Sequence, residues 1–467
     1  MRVGVIGTGR VGLVVGACLS NQGHAVVCHD RDEEKIARLK TGRTAFFEPG
    51  LDHLVAQGMA AGTLRFSIRL EDAVRDAEAV FICVGTPLDG QGSLDLSAVT
   101  SVADQIASLI QGYTVVLVKS TVPVGTAQMV KKTIRERAGE GVEFDVVSMP
   151  EFLREGAAVE DFRHPVRLVL GCDSARAKAR VLDLLGEISC PVIITRHQEA
   201  ELIKQVSNCF LAVKLSFANT VATVCERLEV DVTAITRGVG ADPRIGHTYL
   251  NVGMGYGGSC LPKDMEAFID FARRLGCEVD LLAAAQAVNA AQTERVVLKL
   301  REELETVTER TIGLLGLAFK PHTDTLIAAP SLELVRRLLA EGARVRVFDP
   351  VAMDAAFSVL GREVEYARDE YDLCRECDAV VLVTEWPRFA EMDLPRVWAS
   401  LRSPVIIDGR NLFDPVTMAA LGFRYRGVGR GYAGAEAVPS SPAMAAWPLP
   451  YLEHGDSLAG GKSKYAG

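Results

Sequence analysis

The sequence predicts an α/β protein with two largely parallel sheets joined by a helical region. Three observations predict this class. Short apolar strands alternate with helix-like segments from Val3 onward, a long segment of helical period spans Gln198 to about Val230, and the alternation of strands resumes at Thr311. Because alternating strands and helices are the pattern of parallel sheets covered by helices, each alternating region is predicted to form its own sheet.

A chain of 467 residues is too long for one ordinary core. We therefore predict an N-terminal α/β domain over residues 1–196 and a central helical domain, carrying a glycine-rich cysteine loop, over 197–305. A C-terminal α/β domain is predicted over 306–432. The remaining tail, 433–467, is biased to Pro, Gly, Ser and Ala without a period, so we expect it to be ordered poorly or only by contact.

The first strand, Val3–Ile6, runs into Gly-Thr-Gly-Arg-Val-Gly and then into a helix-like segment. Gly7, Gly9 and Gly12 form a G-x-G-x-x-G motif in the strand–turn–helix context that admits a pyrophosphate to a helix N-terminus. Asp30 ends the second strand, where a carboxylate accepts a hydrogen bond from the adenosine 2′-hydroxyl and repels a 2′-phosphate. The first domain is therefore predicted to be a Rossmann domain that binds NAD in preference to NADP, although the adjacent Arg31 keeps NADP as an alternative.

Polar side chains follow three further strands of this domain. Thr86 and Thr121 come after apolar strands, and Glu151 and Glu155 follow the next one. Ligands bind at the carboxyl ends of strands in open α/β sheets, although the hydroxyls could also be simple helix caps. The two glutamates, four residues apart, either form an exposed face or hold a water or a sugar hydroxyl.

Residues 253–264 read Gly-Met-Gly-Tyr-Gly-Gly-Ser-Cys-Leu-Pro-Lys-Asp. The glycines allow tight bending, and Pro262 predicts that a helix begins directly after Cys260. The helix N-terminus and Lys263 would both favour a thiolate, and Asp264 would share a helical face with the cysteine. The alternative is a glycine-rich loop with a packing cysteine.

The long central helix carries Lys204 and Asn208 four residues apart, among largely apolar neighbours. This context predicts a buried, functional lysine. A helix of this length commonly carries a dimer interface, and Arg244 lies in a loop ahead of the cysteine. A further helix is predicted over Leu281–Leu304.

The C-terminal strands are predicted at Thr311–Phe319, Arg344–Phe348, Asp378–Val383 and Pro404–Ile407. The first of them is followed by Gly-Leu-Ala-Phe-Lys, without a G-x-G-x-x-G motif. We therefore expect a Rossmann-like domain that does not bind a second dinucleotide.

The net charge of −9 argues against general nucleic-acid binding. A strand from the second residue leaves no room for a signal peptide, and no apolar run of membrane-spanning length is evident, so we expect no membrane contact. Eleven cysteines lack paired spacing apart from Cys374 and Cys377, which have no second pair or histidine partners. We expect a cytoplasmic protein without a metal site.

Together these motifs resemble the nucleotide-sugar 6-dehydrogenase family, most closely its bacterial UDP-glucose 6-dehydrogenases. The strings that carry the resemblance lie at 7–12, 120–126, 150–156, 253–264 and 408–411, in order along the chain. The resemblance implies a four-electron oxidation of UDP-glucose to UDP-glucuronate, in which two NAD are reduced. It also implies a homodimer or higher homo-oligomer.

The resemblance implies roles for named residues. The implied catalytic residues are Cys260 as nucleophile, Thr121, Glu151 and Asp264 for water and proton transfers, and Lys204 and Asn208 for the oxyanion. The implied cofactor contacts are Gly7, Gly9, Gly12, Asp30, Lys35, Thr86, Thr121, Glu155 and Lys263. The implied substrate contacts are Glu151, Phe152, Leu153, Arg154, Glu155, Lys204, Asn208, Tyr249, Leu250, Asn251, Val252, Gly253, Gly257, Lys320, Arg410 and Arg244, the last reaching the neighbouring subunit's site.

One segment departs from the family. Where members have acidic-x-Arg-Glu-Ser/Ala-Pro, residues 323–330 read Thr-Asp-Thr-Leu-Ile-Ala-Ala-Pro. We assign the missing cofactor arginine to Leu326 and the missing glutamate to Ile327, and the lost charge predicts weaker NAD binding. Three alternatives stay open: a GDP-mannose 6-dehydrogenase, a UDP-N-acetylhexosamine dehydrogenase, and a weakly active protein that binds NAD or a sugar nucleotide.

Overall fold

The structure, a computed structural model, describes residues 1–186 and 189–430. The tail predicted from 433 lies outside the described residues. Within the described ranges, the strands of the first sheet are β1 (Arg2–Ile6), β2 (Ala25–His29), β3 (Leu64–Ser67), β4 (Ala79–Ile82), β5 (Thr114–Val118), β6 (Phe144–Ser148), β7 (Leu168–Gly171) and β8 (Val192–Thr195). The strands of the second sheet are β9 (Thr311–Leu315), β10 (Arg344–Phe348), β11 (Glu365–Tyr366), β12 (Ala379–Leu382), β13 (Val405–Asp408) and β14 (Arg424–Gly427).

The helices in these ranges fall into three groups. Those around the first sheet are α1 (Arg10–Asn21), α2 (Glu33–Lys40), α3 (Leu51–Ala60), α4 (Leu70–Val74), α5 (Ser97–Ala107), α6 (Thr126–Arg137), α7 (Ala158–Arg163) and α8 (Ala175–Leu185). The central ones are α9 (His197–Leu228), α10 (Val232–Gly240), α11 (Leu261–Arg274), α12 (Asp280–Ala290) and α13 (Gln292–Leu304). Those around the second sheet are α14 (Pro330–Ala340), α15 (Met353–Leu360), α16 (Glu370–Cys374), α17 (Pro387–Ala390), α18 (Leu394–Ser400) and α19 (Pro415–Ala420).

Both sheets are wound in the same way. The first has the order β3-β2-β1-β4-β5-β6-β7-β8, and the second has β11-β10-β9-β12-β13-β14. Strand pairs are parallel except for β6 and β7, which are antiparallel. In each sheet the order reverses beside the first strand, between β1 and β4 or between β9 and β12, which is where such sheets open a crevice for ligands. The predicted α/β class with two Rossmann-type domains and a helical centre is confirmed.

Successive residues of a strand point to opposite faces, and the core reflects this. In β4, Phe81 packs in the cluster on one face, whereas Val80 and Ile82 pack in the cluster on the other. In β12, Val381 and Leu382 divide between two clusters in the same manner. Both sheets are therefore covered on both faces, as their continuous apolar strands require.

The long helix α9 connects the domains through buried polar side chains. Glu201 accepts hydrogen bonds of 2.6 and 2.7 Å from backbone N–H groups at the N-terminus of α6. Asn219 accepts from the backbone of Gly253 at 2.9 Å, in the cysteine loop. Glu226 pairs with two cations of α13, at 2.6 and 2.8 Å, and accepts from the backbone beyond β14 at 2.8 Å. One helix thus contacts both sheet domains and the loop between them.

Helix α9 also meets the length and composition expected of a membrane-spanning helix, a property that the sequence analysis overlooked. Of its most apolar stretch, 44% is buried inside the protein. Core helices of soluble proteins meet the same criteria, so the finding is weak support for a membrane segment.

Two predicted elements differ from the structure. The strand predicted over Thr311–Phe319 ends at Leu315, because Gly316 has a φ of +90° and turns the chain. The helix predicted over Leu281–Leu304 is divided at Ala291 into α12 and α13. There the side chain of Gln292 donates to the carbonyl of Val288 at 2.7 Å, the acceptor that its backbone N–H would use in a continuous helix.

Candidate active site

The glycine turn between β1 and α1 is shaped to receive a phosphate group. Gly7 has a φ of +96°, and a Cβ at Gly12 would lie 1.9 Å from the carbonyl oxygen of Gly7. Gly9 caps α1 without a side-chain hydrogen bond, and a Cβ built there would meet no heavy atom within 4 Å. The helix N-terminus therefore faces open space, and the turn fits the pyrophosphate of a dinucleotide.

Asp30 stands at the end of β2 as predicted. Its carboxylate accepts from the N–H and the hydroxyl of Thr8, at 2.9 and 2.8 Å, and from Lys35 Nζ at 2.9 Å. Burial alone would raise its pKa, but the hydrogen bonds from Lys35 and Thr8 outweigh burial and lower the pKa to about 2. The group is an anion at neutral pH, which suits a ribose hydroxyl and opposes a 2′-phosphate.

The cysteine loop ends where the sequence predicts. Cys260 is the N-cap of α11, with the proline in the first turn. The backbone N–H of Asp264 donates to the Cys260 carbonyl at 2.9 Å, so the two residues share a helical face. Ser259 Oγ lies 3.5 Å from the cysteine sulfur.

Lys204 is buried as predicted, and its partner is Glu151. The two side chains are 4% and 6% exposed, and Nζ lies 2.9 Å from Oε1 of the carboxylate. The other carboxylate oxygen accepts from the backbone of Leu153 at 2.5 Å. Burial lowers the pKa of Lys204, but the charges of the carboxylates Glu151 and Asp264, foremost Glu151, raise it, and the net shift is upward. The ammonium therefore stays charged beside the thiol.

Asp264 is held by two donors from different elements. Asn208 Nδ2 on α9 donates to one oxygen at 2.6 Å, and Lys263 Nζ on α11 donates to the other at 2.7 Å. The carboxylate is 1% exposed. The four side chains Lys204, Glu151, Asn208 and Asp264 thus form two buried polar pairs next to Cys260.

The electrostatics of the thiol differ from the expectation based on sequence. Lys263 was expected to favour the thiolate, but its ammonium is bonded to Asp264. The cation that lowers the pKa of Cys260 is Lys204. Burial is the largest effect and raises this pKa, and the charge of Glu151 raises it further, so the net shift is upward. Cys260 is consequently a thiol at neutral pH in this arrangement.

The Glu155 carboxylate binds several side chains to which the sequence analysis assigned no role. Ser259 Oγ donates to one of its oxygens at 2.5 Å, and Thr325 and Thr323 donate to the other at 2.7 and 3.3 Å. Arg10 Nε lies 3.4 Å from that second oxygen. The segment 150–156 is therefore joined to the cysteine loop, the second sheet domain and α1. Arg10 and Ser259 lie inside the two glycine motifs, and Thr323 and Thr325 lie in the segment that departs from the family, but nothing in the sequence linked these residues to Glu155.

Several implied substrate contacts shape the cysteine loop. Arg410 donates to the carbonyl of Gly255 at 3.1 Å. A Cβ at Gly253 would lie 2.8 Å from a backbone carbonyl next to that arginine, and one at Gly257 would lie 2.3 Å from the carbonyl of Ala328. Both glycines are required because backbone from the second sheet domain packs directly on them.

The remaining implied residues are distributed as follows. Close to the buried pairs are Phe152, whose ring centroid is 5.6 Å from Lys204 Nζ, and Thr121, which lines a pocket with Lys204. Tyr249 is also close to them: burial raises its pKa, and the charges of Arg154 and Lys204 act in the opposite direction. Thr86 donates to the Thr121 carbonyl at 2.7 Å, Leu250 and Val252 are buried, Asn251 is exposed, and Lys320 lies near Glu155. Arg154 pairs with Asp161.

Arg244 is an implied residue that the described chain leaves far out in solvent. It is 87% exposed and pairs with Asp242 at 2.6 Å. Within one chain it therefore does not join the residues around Cys260.

The assignment of the missing cofactor arginine to Leu326 is corrected by one residue. Leu326 is 7% exposed and packs in the core of the second sheet domain, whereas Ile327 is 61% exposed. The backbone of Ile327 accepts from Gly258 at 2.9 Å, in the cysteine loop. Counting the family motif back from Pro330 also places the arginine at Ile327 and the glutamate at Ala328.

This geometry predicts opposite results for two arginine substitutions. Leu326→Arg should lower the free energy of unfolding by about 3 kcal/mol, because it overpacks a core and buries a charge. Ile327→Arg, the matched control, should change stability by no more than about 0.5 kcal/mol, because its side chain is exposed. Thermal melts of both variants measure the difference. A Leu326→Arg protein as stable as the parent, with tighter NAD binding, would restore the original assignment.

The second sheet has an aspartate at the position corresponding to Asp30, but its carboxylate is used internally. Asp349 accepts from the backbone of Leu317 and Ala318 at 2.8 and 3.0 Å, and from Trp386 Nε1 at 3.2 Å. Its other oxygen accepts from the backbone of Val351 and Ala352, both at 2.9 Å, so donors from the same domain bind both oxygens. Within the described residues, no cluster of His, Cys, Asp or Glu is suited to a metal ion.

Comparison with known proteins covers all three regions. The sequence matches the UDP-glucose/GDP-mannose dehydrogenase family in its NAD binding domain over residues 1–188, its central domain over 198–291 and its UDP binding domain over 313–415. These are the regions that hold the glycine turn, the cysteine site and the second sheet.

Individual relatives are similar over nearly the whole chain. The UDP-glucose 6-dehydrogenase TuaD of Bacillus subtilis (strain 168) is 42% identical, covering 92% of this chain and 93% of its own. The structure of a UDP-glucose dehydrogenase from Pyrobaculum islandicum is 40% identical with a TM-score of 0.85, covering 91% of this chain and 97% of that one. A GDP-mannose dehydrogenase structure from Pseudomonas aeruginosa is 29% identical with a TM-score of 0.52, covering 92% and 100%.

Proposed function

Because this chain belongs to the UDP-glucose/GDP-mannose dehydrogenase family, we propose that it is an NAD-dependent UDP-glucose 6-dehydrogenase. It oxidises the sugar CH₂OH to a carboxylate, giving UDP-glucuronate. The observation that carries this proposal is the position of Cys260, which caps α11 beside the buried Lys204–Glu151 pair. A nucleophilic thiol next to a permanent cation suits an acyl intermediate with an anionic oxygen.

The residues divide the reaction between them. When bound, NAD would accept the hydride, with a fresh NAD molecule used in each of the two oxidations. Cys260 adds to the aldehyde carbon, so the aldehyde stays bound as a thiohemiacetal, and the second oxidation converts this adduct to a thioester. Water then releases the carboxylate and regenerates the thiol. Lys204 and Asn208 stabilise the anionic oxygen, and Thr121, Glu151 and Asp264 position water and accept protons.

The raised pKa of Cys260 fits this order of events. The resting thiol must lose its proton when its sulfur attacks the aldehyde carbon, and the neighbouring carboxylates of Glu151 and Asp264 are the acceptors that the proposal assigns. Burial is the largest cause of the raised pKa of the thiol, and the charges of Glu151 and Asp264 raise it further. Transfer of a proton to either carboxylate would remove its part of that effect and favour the thiolate.

Cofactor binding is assigned to the glycine turn and its surroundings. We assign the pyrophosphate to Gly7, Gly9 and Gly12, the adenosine ribose to Asp30 with Lys35, and further contacts to Thr86, Thr121, Glu155 and Lys263. The UDP-sugar is assigned to the segment 151–155, the cysteine loop and Lys320 and Arg410. The cysteines are all unpaired in the described residues, which supports the cytoplasm as the compartment.

Stoichiometry tests the proposal. Two NADH should form for each UDP-glucose consumed, measured by NADH absorbance with limiting sugar. A GDP-mannose dehydrogenase, the second candidate, would instead turn over GDP-mannose under the same conditions. The 40% identity to a UDP-glucose dehydrogenase structure, against 29% to a GDP-mannose dehydrogenase, favours the first. If neither sugar gave NADH, the result would indicate a protein that binds NAD or a sugar nucleotide without oxidising it.

We also infer a homodimer formed through α9. One face of this helix carries exposed apolar side chains at Leu202, Val206, Phe210, Phe217, Val224 and Leu228, spaced by four or seven residues. Phe210 and Phe217 are 63% and 58% exposed. Apolar patches of this kind mark interfaces, and a partner would bring its own Arg244 toward this chain's site.

Replacing Phe217 by glutamate should therefore shift the protein toward monomer, because two like charges would face an apolar partner surface. Light scattering during size-exclusion chromatography measures the mass. Phe357→Glu is the matched control, since Phe357 is 56% exposed on a different helix, α15, and should leave the assembly unchanged. A parent protein that is already monomeric would contradict the inference.

A further inference from the structure

Arg10 occupies an unusual place in the glycine turn. It is the first residue of α1, directly after Gly9, and its side chain is 23% exposed. The guanidinium contacts Glu155 through Nε at 3.4 Å and binds Asp324 through Nη2. Nη1 donates to the carbonyl of Phe47 at 3.2 Å. One cation at the phosphate-binding turn therefore joins the first sheet domain to the second.

Asp324 is held on both sides of this contact. Besides Arg10, it accepts from the backbone N–H of Phe47 at 3.0 Å. The Arg10 guanidinium also stacks over the Phe46 ring, with Cζ 4.7 Å from the centroid. The segment 46–47 thus holds the guanidinium of Arg10 beside the glycine turn.

The local charges require a cation here. Residues 323–327 of the second sheet domain contribute a carboxylate at Asp324 but no basic side chain, since Ile327 is apolar. Glu155 adds a second carboxylate. A pyrophosphate at Gly9 would bring further negative charge close to both. Lys320 also lies near Glu155, but Arg10 is the cation that pairs with Asp324, and without it this carboxylate would repel the pyrophosphate because like charges repel.

We propose that Arg10 binds the pyrophosphate of NAD, releasing Asp324 as it does so, and thereby links cofactor binding to the contact between the two sheet domains. The inference rests on the NAD-dependent function proposed above. A guanidinium can bind two phosphate oxygens at once, which suits this role. Asp324 is then a competitor for Arg10, not a partner in binding.

Binding measurements on the full-length protein test this. NADH and ADP-ribose should each bind Arg10→Gln about tenfold more weakly than the parent, a factor that corresponds to about 1.4 kcal/mol. Adenosine, which lacks phosphate, should bind both proteins equally. NADH is titrated by its fluorescence, and the other two ligands by displacement of NADH. Glutamine keeps a donor for Phe47, so thermal melts should show both proteins folded.

Asp324→Asn separates cofactor binding from a purely structural contact. It removes the negative charge that competes for Arg10 while keeping the contacts of Arg10 with Glu155 and the segment 46–47, so NADH should bind as tightly as in the parent or more tightly. If Arg10 only joined the domains, Asp324→Asn would weaken NADH binding as Arg10→Gln does, and that result would overturn the proposal. Equal NADH affinity in Arg10→Gln and the parent would also overturn it. Failure of the parent to bind NADH would instead overturn the proposed function.

Discussion

Replacing Cys260 by serine is expected to lower kcat by at least about a thousandfold while leaving NAD binding unchanged. A serine hydroxyl has a far higher pKa than a thiol, so the carboxylates that accept a proton from Cys260 are too weak as bases to produce an alkoxide. Lys204 is a cation paired with Glu151, so it cannot take the proton. The aldehyde would therefore not be held covalently, and the second oxidation would not proceed.

Steady-state NADH formation and NADH fluorescence titration measure the two effects separately. Cys277→Ser is the matched control, since Cys277 is the exposed cysteine just beyond the same helix, α11. It should show parental kcat. Turnover near that of the parent in Cys260→Ser would exclude the covalent mechanism.

Replacing Lys204 by methionine is expected to cost about 3–5 kcal/mol of unfolding free energy, because it leaves the Glu151 carboxylate buried without its counter-charge. The pair is 4% and 6% exposed. Adding Glu151→Gln should restore most of this stability, since a neutral amide can still accept from the backbone of Leu153. Activity should not return, because the cation beside the anionic oxygen is still missing.

Denaturant unfolding of the single and double variants measures the coupling. Lys132→Met is the control: Lys132 is 75% exposed and lies 3.8 Å from Glu136 on the same helix. Exposed pairs contribute at most about 1 kcal/mol, so this variant should remain close to the parent. A Lys204→Met protein as stable as the control would show that Glu151 finds another partner or takes up a proton.

The sequence was sufficient for features encoded by neighbouring residues. The G-x-G-x-x-G turn with Asp30, the start of a helix after Cys260, and the shared face of Lys204 and Asn208 all depend on spacing along one element. Residues four apart on a helix must lie on one side, whatever the remainder of the chain does. These expectations are confirmed by the positions in the structure.

Contacts between distant segments were not predictable in the same way. The thiol was expected to respond to its neighbour Lys263, but the effective cation is Lys204, on another helix. Burial, the largest effect on its pKa, arises from packing of several elements and has no local pattern. The carboxylate of Glu155 likewise finds Thr325, 170 residues away.

The arginine of the family motif was assigned to the wrong residue for a related reason. Most residues of the motif are replaced in this chain, so the alignment depends on Pro330, the first residue of α14. Burial then distinguishes the two candidates, because Leu326 packs inward while Ile327 does not. A one-residue difference along the chain thus reverses the expected effect of the same substitution.

The polar contacts of α9 fix the spacing between the two sheet domains and the cysteine loop along this helix. Its 32 residues span about 48 Å, and Glu201, Asn219 and Glu226 meet the first domain, the cysteine loop and the second domain at fixed heights. Inserting one residue after Asn208 would turn everything downstream by about 100° and advance it by about 1.5 Å. Insertions and deletions should therefore be tolerated in surface loops but not within this helix, so the length of α9 should stay constant among related proteins.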